Sequence, residues 1–199
     1  MGTGKSSDIP LLSEKQKMIL PKVNAIASNI YMGAYPGAVS EDVTKNMQKV
    51  LCQELGITHF VCLMDKEQLK RFTPYKLDEK TKLIHFEIID QRIAMDDLVV
   101  DLIRSLIEIV ENPTNKLYIH CWGGNGRTST IATILLSKLY KWDWDKALTH
   151  IFKCYLQRKD PIMAYLPETE EQLIQIERLC DGPMISFEKW REQCKSLKN

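Results

Sequence analysis

The sequence predicts an α/β fold with a central, mainly parallel sheet flanked by helices, and three observations carry this. Short apolar runs rich in β-branched residues, at 57–64, 83–89 and 117–120, have the length and composition of buried strands. Segments with apolar residues at helical spacing lie before, between and after them, and such alternation lays strands side by side with helices as crossovers. Finally, 199 residues with 44% hydrophobic content fill one domain and do not suffice for two.

In chain order, residues 1–22 are polar and irregular and read as a flexible N-terminal tail; residues 23–199 read as the single folded domain. Residues 30–32 suggest a short strand, followed by the turn-rich Gly33-Ala34-Tyr35-Pro36-Gly37. Ser40 is placed to cap a helix with Glu41 and Asp42 in its first turn, an apolar stripe of Val43, Met47, Val50, Leu51 and Leu55, and Gly56 to stop it. Residues 65–81, between the first two strands, are charged and loop-like. Asp96 or Asp97 opens a helix with the stripe Leu98, Leu102, Leu106, Ile109 and Val110, which Asn112-Pro113 ends. Residues 128–139 are apolar on nearly every side, as in a buried helix. Asp143 caps a further helix facing inward through Leu148, Ile151, Phe152 and Tyr155. Residues 161–167 form a loop, 168–179 a helix, and Phe187, Trp190, Cys194 and Leu197 mark a docked C-terminal helix.

Charge and composition narrow the function. With 27 basic and 26 acidic residues the net charge is +1, which gives no general attraction to nucleic acid, and none is expected as a partner. The six cysteines are scattered without a C-x-x-C pair and the four histidines are unclustered, so thiols in a reducing compartment are expected, and no metal or cofactor. No apolar run approaches the roughly 20 residues of a membrane span, and Met1 to Pro10 is too polar for a signal peptide, which predicts a cytoplasmic protein. Gly2 followed by Ser6 fits a myristoylation pattern, so membrane association is expected only if Gly2 is acylated. Gly4-Lys5-Ser6 lacks the earlier glycine and strand of a nucleotide-binding loop.

The decisive segment is His120-Cys121-Trp122-Gly123-Gly124-Asn125-Gly126-Arg127-Thr128, set between a buried strand and a buried helix. Ligands of open α/β sheets bind at the carboxyl ends of strands beside helix N-termini. Five residues between Cys121 and Arg127, three of them glycine, can curl so that successive N–H groups face a dianionic phosphate on the positive end of a helix dipole. Arg127 can grip two phosphate oxygens at once, which lysine cannot reproduce. The same donors favour a thiolate at Cys121 and make it a nucleophile. Thr128 can donate a hydrogen bond to that sulfur and help it leave. An isolated apolar cysteine such as Cys52, Cys62, Cys154 or Cys180 is core filling; only Cys121 carries this company.

His-Cys-x-x-Gly-x-Gly-Arg-Thr resembles the signature of the protein tyrosine phosphatase superfamily. The resemblance extends over about residues 30–179 through Met32-Gly33-Ala34-Tyr35-Pro36-Gly37, Leu55-Gly56-Ile57-Thr58, Ile88-Ile89-Asp90 and Pro167-Glu168-Thr169-Glu170-Glu171-Gln172, which look like small dual-specificity-like members. The Cys-Trp-Gly-Gly core is similar to a branch that includes bacterial tyrosine phosphatases and the phosphatase acting on cyclin-dependent kinases. The resemblance implies the three-layer tyrosine-phosphatase fold, a cysteinyl-phosphate intermediate, a phosphoprotein substrate and no cofactor. It also implies a general acid on a mobile loop upstream of the cysteine, where Asp90 follows a strand; Asp96 and Asp97 compete, with helix capping as their other reading. His120 by resemblance supports the loop from beneath. Gln172 matches a glutamine that positions the hydrolytic water in larger relatives, but Thr169-x-x-Gln172 is also a capping box, and both readings stand. Two departures are Ser129 in place of the usual glycine and the lack of a tyrosine-bearing recognition segment that would enforce strict phosphotyrosine selectivity. Competing functions are an inositol phosphate or phosphoinositide phosphatase, disfavoured by the neutral loop, a non-catalytic phosphopeptide-binding module, disfavoured by the presence of nucleophile, arginine and acid, and sulfur transfer, disfavoured by the His-Cys and Arg-Thr flanks.

Overall fold

A computed structural model of the chain describes residues 9–37 and 40–198. Five strands form one sheet: β1 (Val23–Ala27), β2 (Ile30–Gly33), β3 (His59–Met64), β4 (Lys82–Ile88) and β5 (Leu117–His120), in the spatial order β1-β2-β5-β3-β4. β1 and β2 form an antiparallel hairpin, and every other pairing is parallel. β5 is central and buried at all four positions, whereas the edge strand β4 exposes four of its seven residues. The four parallel strands therefore deliver their carboxyl ends to one rim of the sheet, where the loop after β5 lies between those after β2 and β3.

Helices cover both faces and complete three layers. On one side α1 (Glu14–Ile19) and α2 (Glu41–Lys49), the latter continued by a π-helical turn at Val50–Glu54, close over Leu20, Val23, Tyr31, Leu51, Phe60 and Tyr118. On the other side lie α4 (Asp96–Glu111), α5 (Gly126–Tyr140), α6 (Trp144–Tyr155), α7 (Glu170–Leu179) and α8 (Phe187–Lys198). A short helix, α3 (Lys66–Leu69), follows β3. α5 is buried from Gly126 through Ser137 and packs against α4, α6 and α7, so the apolar character of residues 128–139 reflects a helix enclosed by helices. Side chains set several starts: Ser40, Asp65, Asp143 and Thr169 each accept a backbone N–H from the first turn they precede. Among the described residues no helix is long and apolar enough to cross a membrane, and all six cysteines are free thiols.

Two elements depart from the sequence reading. The expected flexible tail at 1–22 is structured from residue 9: Ser13 and Gln16 form a reciprocal capping box that starts α1, and Leu12 and Leu20 are buried. Gly2 and the rest of residues 1–8 lie outside the described residues. β1 was not anticipated, because all five of its residues are buried and no period-two alternation announces it. Smaller differences occur at helix starts. Met95 precedes α4 without a side-chain cap, which leaves Asp96 and Asp97 in the first turn, and α7 begins at Glu170.

If residues 9–22 belong to the domain, removing their deepest apolar contact will register in global stability. Leu20, 1% exposed, is expected to cost about 2–5 kcal/mol when changed to alanine, read by chemical denaturation. A loss below roughly 0.5 kcal/mol would restore the tail reading.

Candidate active site

Cys121 is the first residue beyond β5 and is 3% exposed, at the floor of the loop that ends in α5. The loop is pinned from several directions. Tyr35 donates its N–H to the Trp122 carbonyl at 2.9 Å, tying the loop to the segment after β2. Arg158 donates to the Gly124 carbonyl at 3.1 Å from within the core. Gly124 has φ +70°, and a Cβ there would lie 2.1 Å from the Gly33 carbonyl carbon, so the close approach of loop to β2 admits only glycine. Trp122 remains 53% exposed, 6.0 Å between ring centroids from Phe72.

His120 is fully buried and works beneath the loop. Its Nδ1 lies 3.3 Å from the Cys121 carbonyl and its Nε2 2.9 Å from the Tyr75 hydroxyl. A neutral ring satisfies both contacts, Nδ1–H donating to the carbonyl and Nε2 accepting from Tyr75. Burial is the main reason its pKa is lowered to about 3, with smaller contributions from His85 and Arg127.

Arg127, in the first turn of α5, is 2% exposed and has both terminal guanidinium nitrogens bonded. Nη1 donates to the Ile88 carbonyl and to Gln68 Oε1, both at 2.9 Å, and Nη2 meets Asp90 Oδ1 at 2.6 Å. Asp90 thus stands at the rim, beyond β4, half-exposed and paired to the loop's arginine. The competing acids lie elsewhere. Asp96 is bonded to Arg178 and accepts from Gln175 at 2.8 Å; the Arg178 bond comes first in holding its carboxyl below the usual range. Asp97 is exposed in the first turn of α4.

Thr128 is fully buried and its hydroxyl has no hydrogen-bond partner, an unsatisfied donor one residue beyond Arg127. Ser129, where relatives commonly carry glycine, bonds back to the Gly126 carbonyl at 3.0 Å and so fits inside the helix without an orphan polar group. Gln172 is fully buried, and Thr169 and Gln172 form both halves of the capping box. Gln172 Oε1 accepts the N–H groups of Glu168 and Thr169 at 3.1 and 3.2 Å, and Nε2 points to the Arg92 carbonyl at 3.5 Å. Of the two readings of Gln172, the structure displays the cap. Glu168 borders the loop together with Gln172: a Cβ at Gly126 would lie 2.4 Å from Glu168 Oε2 and 2.7 Å from Gln172 Oε1. Glu168, Gln68 and Arg158 were not singled out from sequence. An acid just before a helix cap, a glutamine in a charged loop and a basic residue after a helix all read as surface.

The fold and loop together define an α/β protein with a glycine loop at a helix N-terminus and a buried thiol at the loop's floor. The family model for the DSP-PTPase phosphatase domain of Swiss Army Knife proteins matches residues 33–158. The chain belongs to this dual-specificity-like branch of the protein tyrosine phosphatase superfamily. A viral relative, "Putative tyrosine phosphatase 197R" of Invertebrate iridescent virus 6, is 36% identical over 115 residues. That match covers 56% of this chain and 43% of the relative, so the chain spans less than half of that protein's length. Among solved structures, Tk-PTP in its active form superposes with a TM-score of 0.61 at 20% identity, covering 80% of this chain and 96% of that one. PTPMT1 in complex with PI(5)P superposes with a TM-score of 0.63 at 11% identity, covering 89% and 99%. These two likenesses establish the shared fold.

His120 makes stability depend on pH in a defined window. Its folded pKa is depressed, so the unfolded chain binds the extra proton and stability falls as pH drops from about 6.5 toward 3. Between pH 6.5 and 5, above the range of ordinary carboxylates, unfolding free energy is expected to decline in the wild type and to decline less in His120→Gln. Parallel slopes would mean that His120 is charged in the folded protein.

Proposed function

We propose that the protein hydrolyses phosphotyrosine in protein substrates, with phosphoserine and phosphothreonine as further substrates, through a cysteinyl-phosphate intermediate. The observation that carries this reading is the convergence of Cys121, Arg127 and Asp90 on one glycine loop at the N-terminus of α5. In this reading the loop amides from Trp122 to Arg127 and the Arg127 fork hold the three non-bridging oxygens. The Cys121 thiolate attacks phosphorus while Asp90 protonates the departing oxygen. Water then attacks phosphorus, Asp90 takes its proton, and sulfur leaves as thiolate, assisted by the unpartnered Thr128 hydroxyl. His120, buried and neutral, holds the loop and moves no proton.

The Asp90–Arg127 pair adds a sequence of events. Phosphate and Asp90 compete for the same guanidinium nitrogen, so an arriving phosphate releases Asp90, which takes up a proton from solvent and carries it to the leaving group. Removing Asp90 therefore separates binding from chemistry. Asp90→Ala is expected to bind inorganic phosphate more tightly than the wild type while kcat falls by about 10²–10⁴. Weaker phosphate binding in the variant would contradict the exchange.

The aryl preference rests on a groove of about 400 Å³ beside the loop, in which Trp122, Phe72 and Tyr35 are the aromatic walls and Lys22 is the one charged lining residue among the described residues. A phosphoinositide reading draws on the PTPMT1 complex, a neighbour at 11% identity. Against it, the residues between Cys121 and Arg127 offer no cation for additional phosphates.

The test is hydrolysis of p-nitrophenyl phosphate in excess EDTA by the wild type and Cys121→Ser, followed by phosphotyrosyl peptides and soluble inositol phosphates. Metal-independent turnover, abolished in the variant and greater on the peptides, is expected. Turnover that survives Cys121→Ser would refute the thiol mechanism, and a preference for inositol phosphates would replace the substrate class.

A further inference from the structure

We propose that Glu168 is a second catalytic carboxylate, which holds the water that hydrolyses the cysteinyl-phosphate. This rests on the covalent mechanism proposed above and assigns a residue to its second step.

Glu168 is the residue before the Thr169 cap of α7. Its backbone is fixed on both sides. Gln172 Oε1 accepts its N–H at 3.1 Å, and the Trp190 indole of α8 donates to the Leu166 carbonyl at 2.5 Å. The side chain is thereby directed onto the glycine loop. A Cβ at Gly126 would lie 2.4 Å from Glu168 Oε2, so the absence of a side chain at Gly126 makes room for this carboxylate. The carboxylate faces the Gly126 amide and the Asn125 side chain, and it feels the charges of Asp90 and Arg127. Both carboxylates therefore lie against donors of the same loop, Asp90 on Arg127 and Glu168 beside Gly126. Among the described residues Glu168 takes part in no ion pair. Burial, reinforced by Asp90, raises its pKa and so makes it a better acceptor of a hydrogen bond from water.

The residue otherwise suited to holding water, Gln172, also borders Gly126, but its carbonyl oxygen is engaged by two backbone N–H groups and its amide nitrogen lies 3.5 Å from the Arg92 carbonyl, whereas Glu168 brings a carboxylate. Its contribution is to fix the turn that presents Glu168. In the second step the water oxygen forms its bond to phosphorus as the sulfur–phosphorus bond breaks, and the electron pair goes to Cys121 sulfur. One water proton passes to Asp90. The other O–H stays bonded to the Glu168 carboxylate, which orients the oxygen toward phosphorus, and inorganic phosphate is the product.

A role confined to the second step has a kinetic signature that a mere brace for the loop does not share. Slowing hydrolysis of the intermediate lowers kcat and KM together and leaves kcat/KM, which reports the first step, unchanged. The experiment compares wild type, Glu168→Ala and Glu168→Gln on p-nitrophenyl phosphate by rapid-mixing and steady-state kinetics, with acid quenching of 32P-labelled substrate to trap phosphoenzyme. Glu168→Ala is expected to show a burst approaching one equivalent of p-nitrophenol, accumulated label on protein, and kcat lower by at least about tenfold at constant kcat/KM. Glu168→Gln, which keeps an acceptor oxygen, should recover part of kcat. If Glu168→Ala fails to fold, Glu168→Asp, which withdraws the carboxylate by one methylene, must show the same burst. Unchanged kcat, or equal losses in kcat and kcat/KM without a burst, overturns the proposal and leaves the covalent mechanism standing. If single-turnover mixing captures no label on the wild type or on any variant, the covalent mechanism fails and this assignment with it.

Discussion

The rim of the site is organised around a guanidinium that the fold buries. Arg127 is 2% exposed, and a charge at that depth is tolerated only when each donor finds an acceptor. Its acceptors come from three successive segments: the Ile88 carbonyl at the end of β4, Gln68 on α3 after β3, and Asp90 in the loop beyond β4. Meeting the needs of one side chain thus draws the ends of β3 and β4 toward the loop after β5. The parallel order of these strands puts their carboxyl ends on one rim, and Arg127 gathers what lies there. Asp90 differs from the other acceptors because it is a half-exposed side chain on a loop, so in the proposed reaction it gives way to a phosphate while the carbonyl and Gln68 hold the guanidinium in register.

A second guanidinium lies beneath the same loop on different terms. Arg158 is 5% exposed and has no carboxylate partner among the described residues; it bonds Asn24 Oδ1 at 2.6 Å and the Gly124 carbonyl at 3.1 Å, and stacks 4.6 Å from the Tyr155 ring centroid. Burial lowers its pKa to about 10, which still leaves it cationic at neutral pH, and interactions with Tyr155, Tyr118 and Cys121 partly offset that burial. A buried cation without a counter-ion is destabilising by itself. Its position explains its retention: it fixes the Gly124 carbonyl outward and contributes positive potential under the thiol. The same requirement accounts for β1, whose Asn24 supplies the acceptor that orients Arg158.

What could be read from the sequence follows from how local each signal is. Cys121, Arg127 and the glycines between them sit within seven consecutive positions, and strand, loop and helix around them have their own patterns, so this part of the site was legible. The parallel sheet was legible because strands and helices alternate. The rest depended on contacts across the chain. The Asp90–Arg127 pair joins positions 37 apart, and the Arg158–Asn24 bond joins positions 134 apart. Residues 9–22 were misread because their polar composition hides a capping box and two buried leucines. Glu168 was overlooked for a related reason. The Thr169 and Gln172 box dominates that stretch and gives an adequate local account of it, while the neighbour that faces the loop carries no local pattern.

These placements explain how a chain of net charge +1 can select a dianion. The general field offers little attraction, so affinity must arise within a few ångströms, from helix-terminal N–H groups and one guanidinium, in surroundings where each acts with little screening. Such a site has to limit its own positive potential when empty, or it would hold adventitious anions. Asp90 at 2.6 Å from Arg127 and Glu168 against Gly126 are placed to do so, each lying on a donor that a phosphate would claim. In the reaction proposed above, phosphate displaces the same two carboxylates, which then act on the departing oxygen and the incoming water. Neutralising the empty cradle and carrying out proton chemistry on the filled one are then two consequences of a single placement. That dual demand matches the placement of the acids on the loops beyond β4 and before α7, while the arginines and His120 are locked in the core.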